Sequence, residues 1–226
     1  MTKTMYTTLL ELPLFQGLGA DTLTAIIETC EMDFHTAPAG HTLWRDGDTC
    51  TGLTFLIKGC LDATATSADG TWRVTEELRA PAVVGLEVLY GSRRTHRRTL
   101  SAQVASRMMH IDKPTVASLI KNYEVFRLNV LNSLTSQVIH SATPLWLPPQ
   151  ETTEGRIVNF FHCHVQRPAG YKVFDISQAT LGAYLGEDPR YVARALATLA
   201  HEGLIRTGRR RVEVPQFERL LHRYQA

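Results

Sequence analysis

The stretch from residue 176 to residue 196 constrains the fold most, because it combines two short helical segments with a tight turn. Ser177 is a good N-cap for a helix over Gln178 to Leu185, since its hydroxyl can accept from a free backbone N–H. Gly186 supplies the backbone freedom that a sharp turn after this helix requires. The stretch therefore predicts a helix, a turn and a second helix within about twenty residues.

The second helix of this pair is marked at its start and has two different faces. Asp188 is the expected cap, Pro189 the first helical residue and Gly203 the stop. Apolar residues recur at three- and four-residue spacing and predict a buried stripe of Val192, Ala195, Leu196 and Leu199. Arg190 and Arg194 stand one turn apart on the other side. In a helix-turn-helix the second helix lies in the DNA major groove, where arginine is the commonest reader of guanine.

A short basic hairpin is predicted directly after these helices. Leu204 to Thr207 and Val212 to Val214 have strand character, and the turn between them contains Gly208, Arg209, Arg210 and Arg211. Clustered arginines at a loop tip suit DNA phosphates, which position a protein without reading sequence. An ordinary helical hairpin followed by a solvated basic loop is the alternative. The predicted DNA-binding residues are Ser177, Gln178, Asp188, Pro189, Arg190, Tyr191, Arg194, Arg209, Arg210 and Arg211.

The charge distribution supports double-stranded DNA as a partner. The 226 residues are 44% apolar and 20% charged, which is typical of globular proteins, and the formal net charge is only +2. From residue 176 to residue 226, eight arginines face five acidic residues, which gives +3 there and about −1 for the rest of the chain. The positive charge is thus concentrated on the segment that carries the motif.

The N-terminal half has a different pattern. Leu23, Ile26 and Ile27 behind Asp21 predict a short helical segment within Leu9 to Met32, with Asp21 as its candidate cap. From Phe34 to Ile111, short apolar runs alternate with glycines and turn residues, including a hairpin signal at Ala68, Asp69 and Gly70. Several short strands at regular spacing predict an all-β barrel or sandwich over this region.

Three sets of residues resemble the cyclic-AMP receptor protein and FNR-type (Crp/Fnr) bacterial transcription regulators. They are Gly40, Gly47 and Gly59 with TFLIKG, the cassette GLEVLYGSRRTHRRT, and ISQATLGAYLGEDPRYVARALATLAHEGLI. A roll alone would also fit a cupin, but cupins lack a C-terminal winged helix. The resemblance implies an α+β protein with a cyclic-nucleotide-binding-like β-roll over 1–121, a dimerisation helix and hinge over 122–149, and a winged helix-turn-helix over 150–226.

A helix over Tyr123 to Trp146 is predicted between the roll and the DNA reader. Its apolar seam consists of Leu128, Leu131, Leu134, Val138, Ala142 and Leu145. Such a helix can pack on its own domain. In the family, however, the corresponding helix pairs with the same helix of a second protomer, so the resemblance implies a homodimer. Pro144, Pro148 and Pro149 predict an end or kink and a hinge, before a further helix that begins near Thr153.

The cassette departs from the cyclic-nucleotide binders of the family. These carry a Glu directly after the glycine, which holds the ribose hydroxyl, whereas Gly85 is followed by Leu86 and Glu87 comes one place late. Arg98 and Thr99 match the pair that holds the cyclic phosphate. The expected effector site therefore consists of Gly85, Leu86, Glu87, Arg98 and Thr99. Because the acidic residue after the glycine is missing, we predict that cyclic AMP is not the effector. The alternative is that this arginine-rich segment, which also contains Arg93, Arg94 and Arg97, is only a solvated loop.

The cysteines and histidines decide which other cofactors and sites are expected. The four cysteines are scattered along the chain at Cys30, Cys50, Cys60 and Cys163. The family's iron–sulfur sensors carry clustered cysteines at the N-terminus, whereas this chain has none before Cys30, so an iron–sulfur cluster is excluded. Haem stays open, with His96 and His110 as candidate axial ligands, although scattered histidines are more often surface groups. His162 and His164 flank Cys163 on a predicted helix and point apart, so no metal site is expected. The sequence contains no catalytic constellation, and we expect no enzyme.

The partners and location follow from these observations. The chain lacks the apolar run of roughly 20 residues that a membrane span needs, and its start lacks a signal-peptide core, so we expect a cytoplasmic protein without a membrane partner. RNA polymerase is a further candidate partner. Two other functions stay open at this stage, a haem-based gas-sensing regulator and a cyclic-nucleotide-binding module that does not bind DNA.

Overall fold

A computed structural model describes residues 5–225 and divides the chain into two compact units. The first comprises the chain up to Ala63 together with Leu78–Ser136, and the second comprises Thr64–Glu77 together with the chain from Gln137 onward. This division differs from the expected one, because the hairpin segment Thr64–Glu77 belongs with the C-terminal part. Within residues 5–225 no helix is both long and apolar enough to cross a membrane.

Four helices belong wholly or mainly to the first unit. They are α1 (Met5–Glu11), α2 (Ala20–Thr29), α3 (Lys113–Asn122) and α4 (Glu124–Ala142), and a 3-10 turn at Pro13–Phe15 follows α1. The expected short helical segment around Leu23, Ile26 and Ile27 is confirmed as α2, and the separate helix α1 and the turn at Pro13 precede it. Asp21 is not the cap of α2, however, since Gly19 holds that position and Asp21 lies in the first turn.

The predicted strands between Phe34 and Ile111 are confirmed. They are β1 (Asp33–Ala37), β2 (Thr42–Trp44), β3 (Gly52–Lys58), β4 (Cys60–Thr66), β5 (Arg73–Arg79), β6 (Ala82–Val84), β7 (Thr99–Ala102) and β8 (Ser106–Asp112). One sheet of the roll has the strand order β1, β8, β3, β6, and in the other β4, β7 and β2 are neighbours. The first of these sheets is antiparallel throughout.

Strand β3 shows how the roll forms two separate cores. Leu53 and Phe55 lie in the core that the helices of the first unit cover. In this core the Phe15 ring packs at a tilt against Phe55 and edge to face against Phe126. Leu56 lies in a second core between the sheets of the roll. Because successive side chains of a strand point to opposite faces, one strand supplies both cores.

Helix α4 is shorter than the sequence predicted. It ends at Ala142 and is followed by a 3-10 turn over Thr143–Trp146, so the expected helix from Tyr123 to Trp146 is wrong at its end. Pro144 explains the change, because a proline has no N–H with which to continue the α-helical ladder. Phe126 and Val130 are the fully buried side chains of α4 and belong to the core of the first unit.

The second unit contains the predicted C-terminal elements. They are α5 (Thr153–Cys163), β9 (Lys172–Asp175), α6 (Gln178–Leu185), α7 (Pro189–His201), β10 (Arg206–Gly208), β11 (Arg211–Val214) and α8 (Phe217–Gln225). Its sheet has the order β10, β11, β9, β5, with the β4 side of the hairpin beyond β5. Antiparallel pairing of Arg73–Glu76 with Lys172–Asp175 brings the hairpin into this sheet. A core that includes Trp72, Val158, Phe174 and Leu196 holds the unit together.

A buried ion pair joins the hairpin to β9. Lys172 Nζ lies 3.2 Å from Glu76 Oε2, and the two side chains are 0% and 1% exposed. Lys172 Nζ also donates to the carbonyl of Ala169 at 2.7 Å. The Glu76 carboxylate accepts from the backbone N–H groups of Gln166 and Arg167 at 2.8 and 3.1 Å. Both buried charges thus have hydrogen-bond partners in addition to each other, as burial of a charge requires.

Candidate nucleic-acid interface and effector cavity

The helix-turn-helix has the geometry that its sequence predicted. Ser177 caps α6 by accepting from the N–H of Thr180 at 3.0 Å, and Gly186 adopts the left-handed conformation with φ 66°. Sequence reasoning missed Gly182, where an added Cβ would lie 2.6 Å from the carbonyl oxygen of Glu187. A glycine is therefore required for the close approach of the turn to α6. An ion pair between Glu187 and Arg156 of α5 also fixes the turn.

Helix α7 presents two faces, as predicted. Val192, Ala195, Leu196 and Leu199 are buried in the core of the second unit. Arg194 is exposed and has no carboxylate partner in the described part of the chain, and Tyr191 is 61% exposed. The helix thus offers a polar face with one uncommitted guanidinium and one phenol close to its N-terminus.

Arg190 is held differently from Arg194. Asp188 caps α7 by accepting from the backbone N–H of Arg190 at 2.8 Å, and the Arg190 guanidinium binds the same carboxylate at 3.1 and 3.0 Å. These hydrogen bonds lower the pKa of Asp188, with the Arg190 side chain as the largest cause. The neighbouring Pro189 is exposed at the first position of α7, and Gln178 is exposed at the start of α6.

The basic hairpin is tighter than expected. Gly208 and Arg211 pair with each other in β10 and β11, so the turn consists of Arg209 and Arg210, with Arg210 at φ 56°. Arg211 binds Glu213 at 2.8 Å and approaches Asp175 at 3.5 Å. The expected turn over Gly208 to Arg211 is therefore too long, because Arg211 lies on β11, where it binds two carboxylates. Arg209 and Arg210 are exposed, without an acidic partner among residues 5–225.

The predicted dimer seam is largely exposed on the single chain. Leu128 and Leu131 are 48% and 52% exposed, and Val138 and Leu145 are 67% and 72% exposed. Leu134 and Ala142 are half-buried, and Leu134 packs against the core of the first unit. Ile139 and Trp146, which the sequence analysis did not include, add 58% and 85% exposed apolar side chains to the same segment. The segment thus exposes more large apolar side chains than the predicted seam alone.

The structure places the five expected effector residues as follows. Gly85 is left-handed at φ 92°, and Leu86 points into the helix-covered core of the first unit. Glu87 is exposed, and Arg98 is half-buried at the start of β7. The Thr99 hydroxyl accepts from the backbone N–H of Asp46 at 3.2 Å. The hydroxyl and the apolar side chain thus have structural partners within the roll.

A cavity of about 440 Å³ lies elsewhere in the first unit, and none of those five residues lines it. Its lining includes the four histidines His35, His41, His96 and His110 and the carboxylates of Asp33 and Asp48, but no lysine or arginine. The His96 ring stacks on Trp44, with centroids 4.1 Å apart and planes at 16°. His110 Nδ1 lies 3.2 Å from the Thr54 hydroxyl.

The histidines of this cavity are not all surface groups, contrary to the expectation for scattered histidines. Burial is the largest cause that lowers the pKa of His96 and of His110, although nearby carboxylates oppose it in both cases. In the part of the chain that the structure describes, no three His, Cys, Asp or Glu side chains form a metal-binding group. His162 is buried and His164 half-buried, and Cys163 between them is exposed.

Comparisons with known proteins agree with this architecture. Residues 34–123 match the family of the cyclic nucleotide-binding domain, and residues 155–223 match that of the Crp-like helix-turn-helix domain. No curated protein matches the chain significantly.

Several solved structures are similar. FixK2 from Bradyrhizobium japonicum has a TM-score of 0.50 at 17% identity, over 87% of this chain and 98% of that one. The sensor domain of the transcriptional regulator DNR from Pseudomonas aeruginosa has a TM-score of 0.50 at 16% identity, over 59% of this chain and 87% of that one. The catabolite activator protein of Thermus thermophilus has a TM-score of 0.49 at 19% identity, with 94% and 98% covered. At identities this low, the likeness to FixK2 and to the DNR sensor domain supports the fold alone.

A cyclic-nucleotide-binding β-roll followed by a Crp-like winged helix-turn-helix defines a DNA-binding transcription regulator with a sensor domain. The chain belongs to the Crp/Fnr family of such regulators. This confirms the predicted α+β class, with the β-roll preceding the winged helix-turn-helix. It also agrees with the expectation that the chain is not an enzyme, because the family regulates transcription by binding DNA.

Proposed function

We propose that this chain is a homodimeric, sequence-specific transcription regulator whose effector is not cyclic AMP. The observation that carries the proposal is helix α7, which buries one face completely and exposes Arg194 and Tyr191 on the other. A helix of this kind in the major groove brings side chains near its N-terminus to base edges. Arg209 and Arg210 at the tip of the hairpin then contact phosphates on the flanking backbone.

The proposed dimer forms through the seam on α4. Two copies of the exposed stripe that includes Leu131 and Val138 bury each other's apolar side chains, and burial of apolar surface drives association. A two-fold dimer presents two recognition helices, and both can enter successive major grooves when they stand about 34 Å apart. An effector would act by changing how often the dimer adopts this spacing.

The proposal that cyclic AMP is not the effector rests on Leu86. Its side chain is buried among apolar groups of the first unit, so it offers no acceptor to a ribose hydroxyl. A buried hydroxyl without a partner costs about 1–3 kcal/mol, which is roughly a tenfold to hundredfold loss of affinity. Calorimetry with the full chain tests this point. Micromolar binding of cyclic AMP together with a gain in DNA affinity would refute it.

Haem is a second candidate effector, because His96 and His110 both border one cavity. The same cavity has no lysine or arginine in its lining that would pair with the haem propionates. The absorbance spectrum of the purified protein distinguishes a haem effector from a non-haem effector, since a haem protein absorbs strongly at about 400 nm. A colourless protein that binds DNA favours the non-haem proposal. The cytoplasmic location and a contact with RNA polymerase stay predictions.

The central experiment measures DNA selection and its dependence on salt. The protein is mixed with genomic fragments, the retained fragments are sequenced, and affinity for one selected site is compared with affinity for random DNA. Arg194→Ala is expected to cost about 1–3 kcal/mol on the selected site and to relax preference at one base position. Arg210→Ala is expected to weaken binding to all sequences and to reduce the salt slope by about one unit.

A matched control removes the same charge from the first unit. Lys121 is exposed on α3, outside the proposed interface, so Lys121→Ala is expected to leave both affinities within the error of measurement. If Arg194→Ala weakens specific and random binding equally, Arg194 does not read a base. If the wild-type chain retains no fragment above background, the proposed function is wrong.

A further inference from the structure

The polar cavity of the first unit has a floor built by three neighbouring strands. Asp33 of β1 lies opposite His110 of β8, and His110 lies opposite Thr54 of β3. Directly opposite residues of antiparallel strands project to the same face, so these three side chains form one row. The next row contains His35, which also lines the cavity, beside Met108 and Leu56 of the apolar core between the sheets. The cavity is therefore lined on this side by polar side chains that lie next to an apolar core.

The facing wall is formed around Trp44 and His96. The stacked rings lie beside the turn that carries Asp48, because the backbone N–H of His96 donates to the carbonyl of Asp48 at 2.8 Å. One oxygen of the Asp48 carboxylate accepts from the backbone N–H of Arg45 at 2.7 Å. The Trp44 ring is half-buried and contributes a flat apolar surface to the lining.

The charge of this lining selects against anions. Asp33 and Asp48 contribute two negative charges, and no lysine or arginine opposes them within the lining. Burial lowers the pKa values of His96 and His110, which favours the neutral form of both rings. A phosphate or carboxylate would enter against two like charges, whereas an ammonium group would find two carboxylates and an aromatic face.

We propose that this cavity binds a small organic cation, a primary amine on a flat apolar body, with Asp48 and Asp33 holding the ammonium group and Trp44 contacting the body. The volume of about 440 Å³ lies within the range of sites for small molecules. The binding itself is independent of DNA. Only the further step, that this ligand acts as the effector, rests on the proposed function.

A series of three indoles with the same ring and different head groups tests the proposal. Tryptamine carries a positive head group, tryptophol a neutral one and indole-3-acetate a negative one. Calorimetry with the full-length protein at pH 7.5 is expected to show binding of tryptamine at least tenfold tighter than that of tryptophol. Indole-3-acetate is expected to bind more weakly than both. Equal affinities within the series, or no tryptamine binding at millimolar concentration, would overturn the proposal.

Variants locate the binding. Asp48→Asn is expected to weaken tryptamine binding about tenfold or more, because a bond to a charged group is lost. Asp33→Asn provides a second test at a side chain that is 74% exposed, where folding does not depend on burial. Glu31→Gln removes one exposed negative charge outside the cavity and is expected to change nothing. An equal loss in the Glu31 variant, or unchanged binding in both aspartate variants, would overturn the assignment.

Retention of DNA by the same preparations separates this proposal from the proposed function. If the indoles fail to discriminate while the protein still selects DNA fragments, the cavity assignment alone is wrong. If tryptamine binds as expected while no DNA is retained, the proposed function fails and the cavity assignment stands. A preparation that absorbs at about 400 nm and does not bind tryptamine would indicate that the cavity holds haem instead.

Discussion

Replacing Glu76 by glutamine is expected to destabilise the second unit by about 3–5 kcal/mol. The estimate follows from the surroundings of Lys172, whose side chain is 0% exposed and donates to Glu76 and to the Ala169 carbonyl. Glu76→Gln removes the counter-charge of this buried ammonium group. Lys172→Met is expected to cost a similar amount, because it removes the counter-charge of a buried carboxylate that accepts from two backbone N–H groups.

The double variant decides whether the pair acts as a unit. With Glu76→Gln and Lys172→Met together no buried charge is left, and the glutamine oxygen still accepts one backbone N–H. The cost is then about 1–3 kcal/mol for one unsatisfied donor, which is less than that of either single change. The two changes are thus expected to be strongly non-additive, as is usual for side chains in direct contact.

A matched control lies on the same two strands. Arg73 of β5 binds Asp175 of β9 at 2.7 Å, but the Arg73 side chain is 59% exposed. Exposed ion pairs contribute about 0–1 kcal/mol, so Arg73→Gln is expected to have little effect. The pair on the solvent side and the pair in the interior thus test burial with the strand pairing held constant.

Urea unfolding followed by circular dichroism gives the free energies, and hydrogen exchange of residues 73–76 and 172–175 gives local opening. The Glu76 variant is expected to exchange faster in both segments, which pair in register. The reasoning is refuted if Glu76→Gln and Arg73→Gln destabilise equally. It is also refuted if the costs of the two buried substitutions add in the double variant.

Three further perturbations test other parts of the structure. Leu131→Glu combined with Val138→Glu buries unpaired charge at the proposed seam and should cost several kcal/mol, so sedimentation is expected to show monomers; an unchanged dimer would contradict the seam. Gly182→Ala places a methyl group 2.6 Å from the Glu187 carbonyl oxygen and is expected to cost about 1–3 kcal/mol of stability and to weaken DNA binding; unchanged melting would contradict the close approach. Acidification below the ordinary histidine pKa of 6.5 is expected to destabilise the first unit, because burial lowers the pKa of His96 and the unfolded chain binds the proton first; His96→Gln should flatten this pH dependence.

The parts of the fold that local chemistry determines could be predicted from the sequence. Ser177, Gly186 and Asp188 act on backbone groups within four residues, so their roles as caps and turn residue follow from the local sequence alone. The wing was predicted less well at its tip, because the pairing of Gly208 with Arg211 decides which arginines stay free. Pro144 was correctly predicted to end or kink the long helix, but the apolar spacing continued to Leu145 and made the helix seem to run four residues past the end of α4.

Features that depend on distant pairing could not be predicted. The cavity combines His35 of β1 with His110 of β8, and the register of two strands more than seventy residues apart in the sequence brings them together. Glu76 and Lys172 lie in different units of the expected domain plan, and neither residue stands in a motif. The need for glycine at position 182 had one local signal, a glycine inside a helix, but the atom that requires it lies in the following turn.

The bond between Asp188 and Arg190 bears on how such a protein would search a genome. Along random DNA the strongest attraction comes from phosphates, and a guanidinium already held by a carboxylate on its own helix gains little by exchanging that partner for a phosphate. Arg209 and Arg210, which have no such partner among residues 5–225, would then provide most of the non-specific phosphate contact during the search. Arg190 would add to binding only where a base edge offers a better-matched acceptor than Asp188 does. The capping carboxylate would therefore favour sliding on non-specific DNA and a longer residence time on the operator.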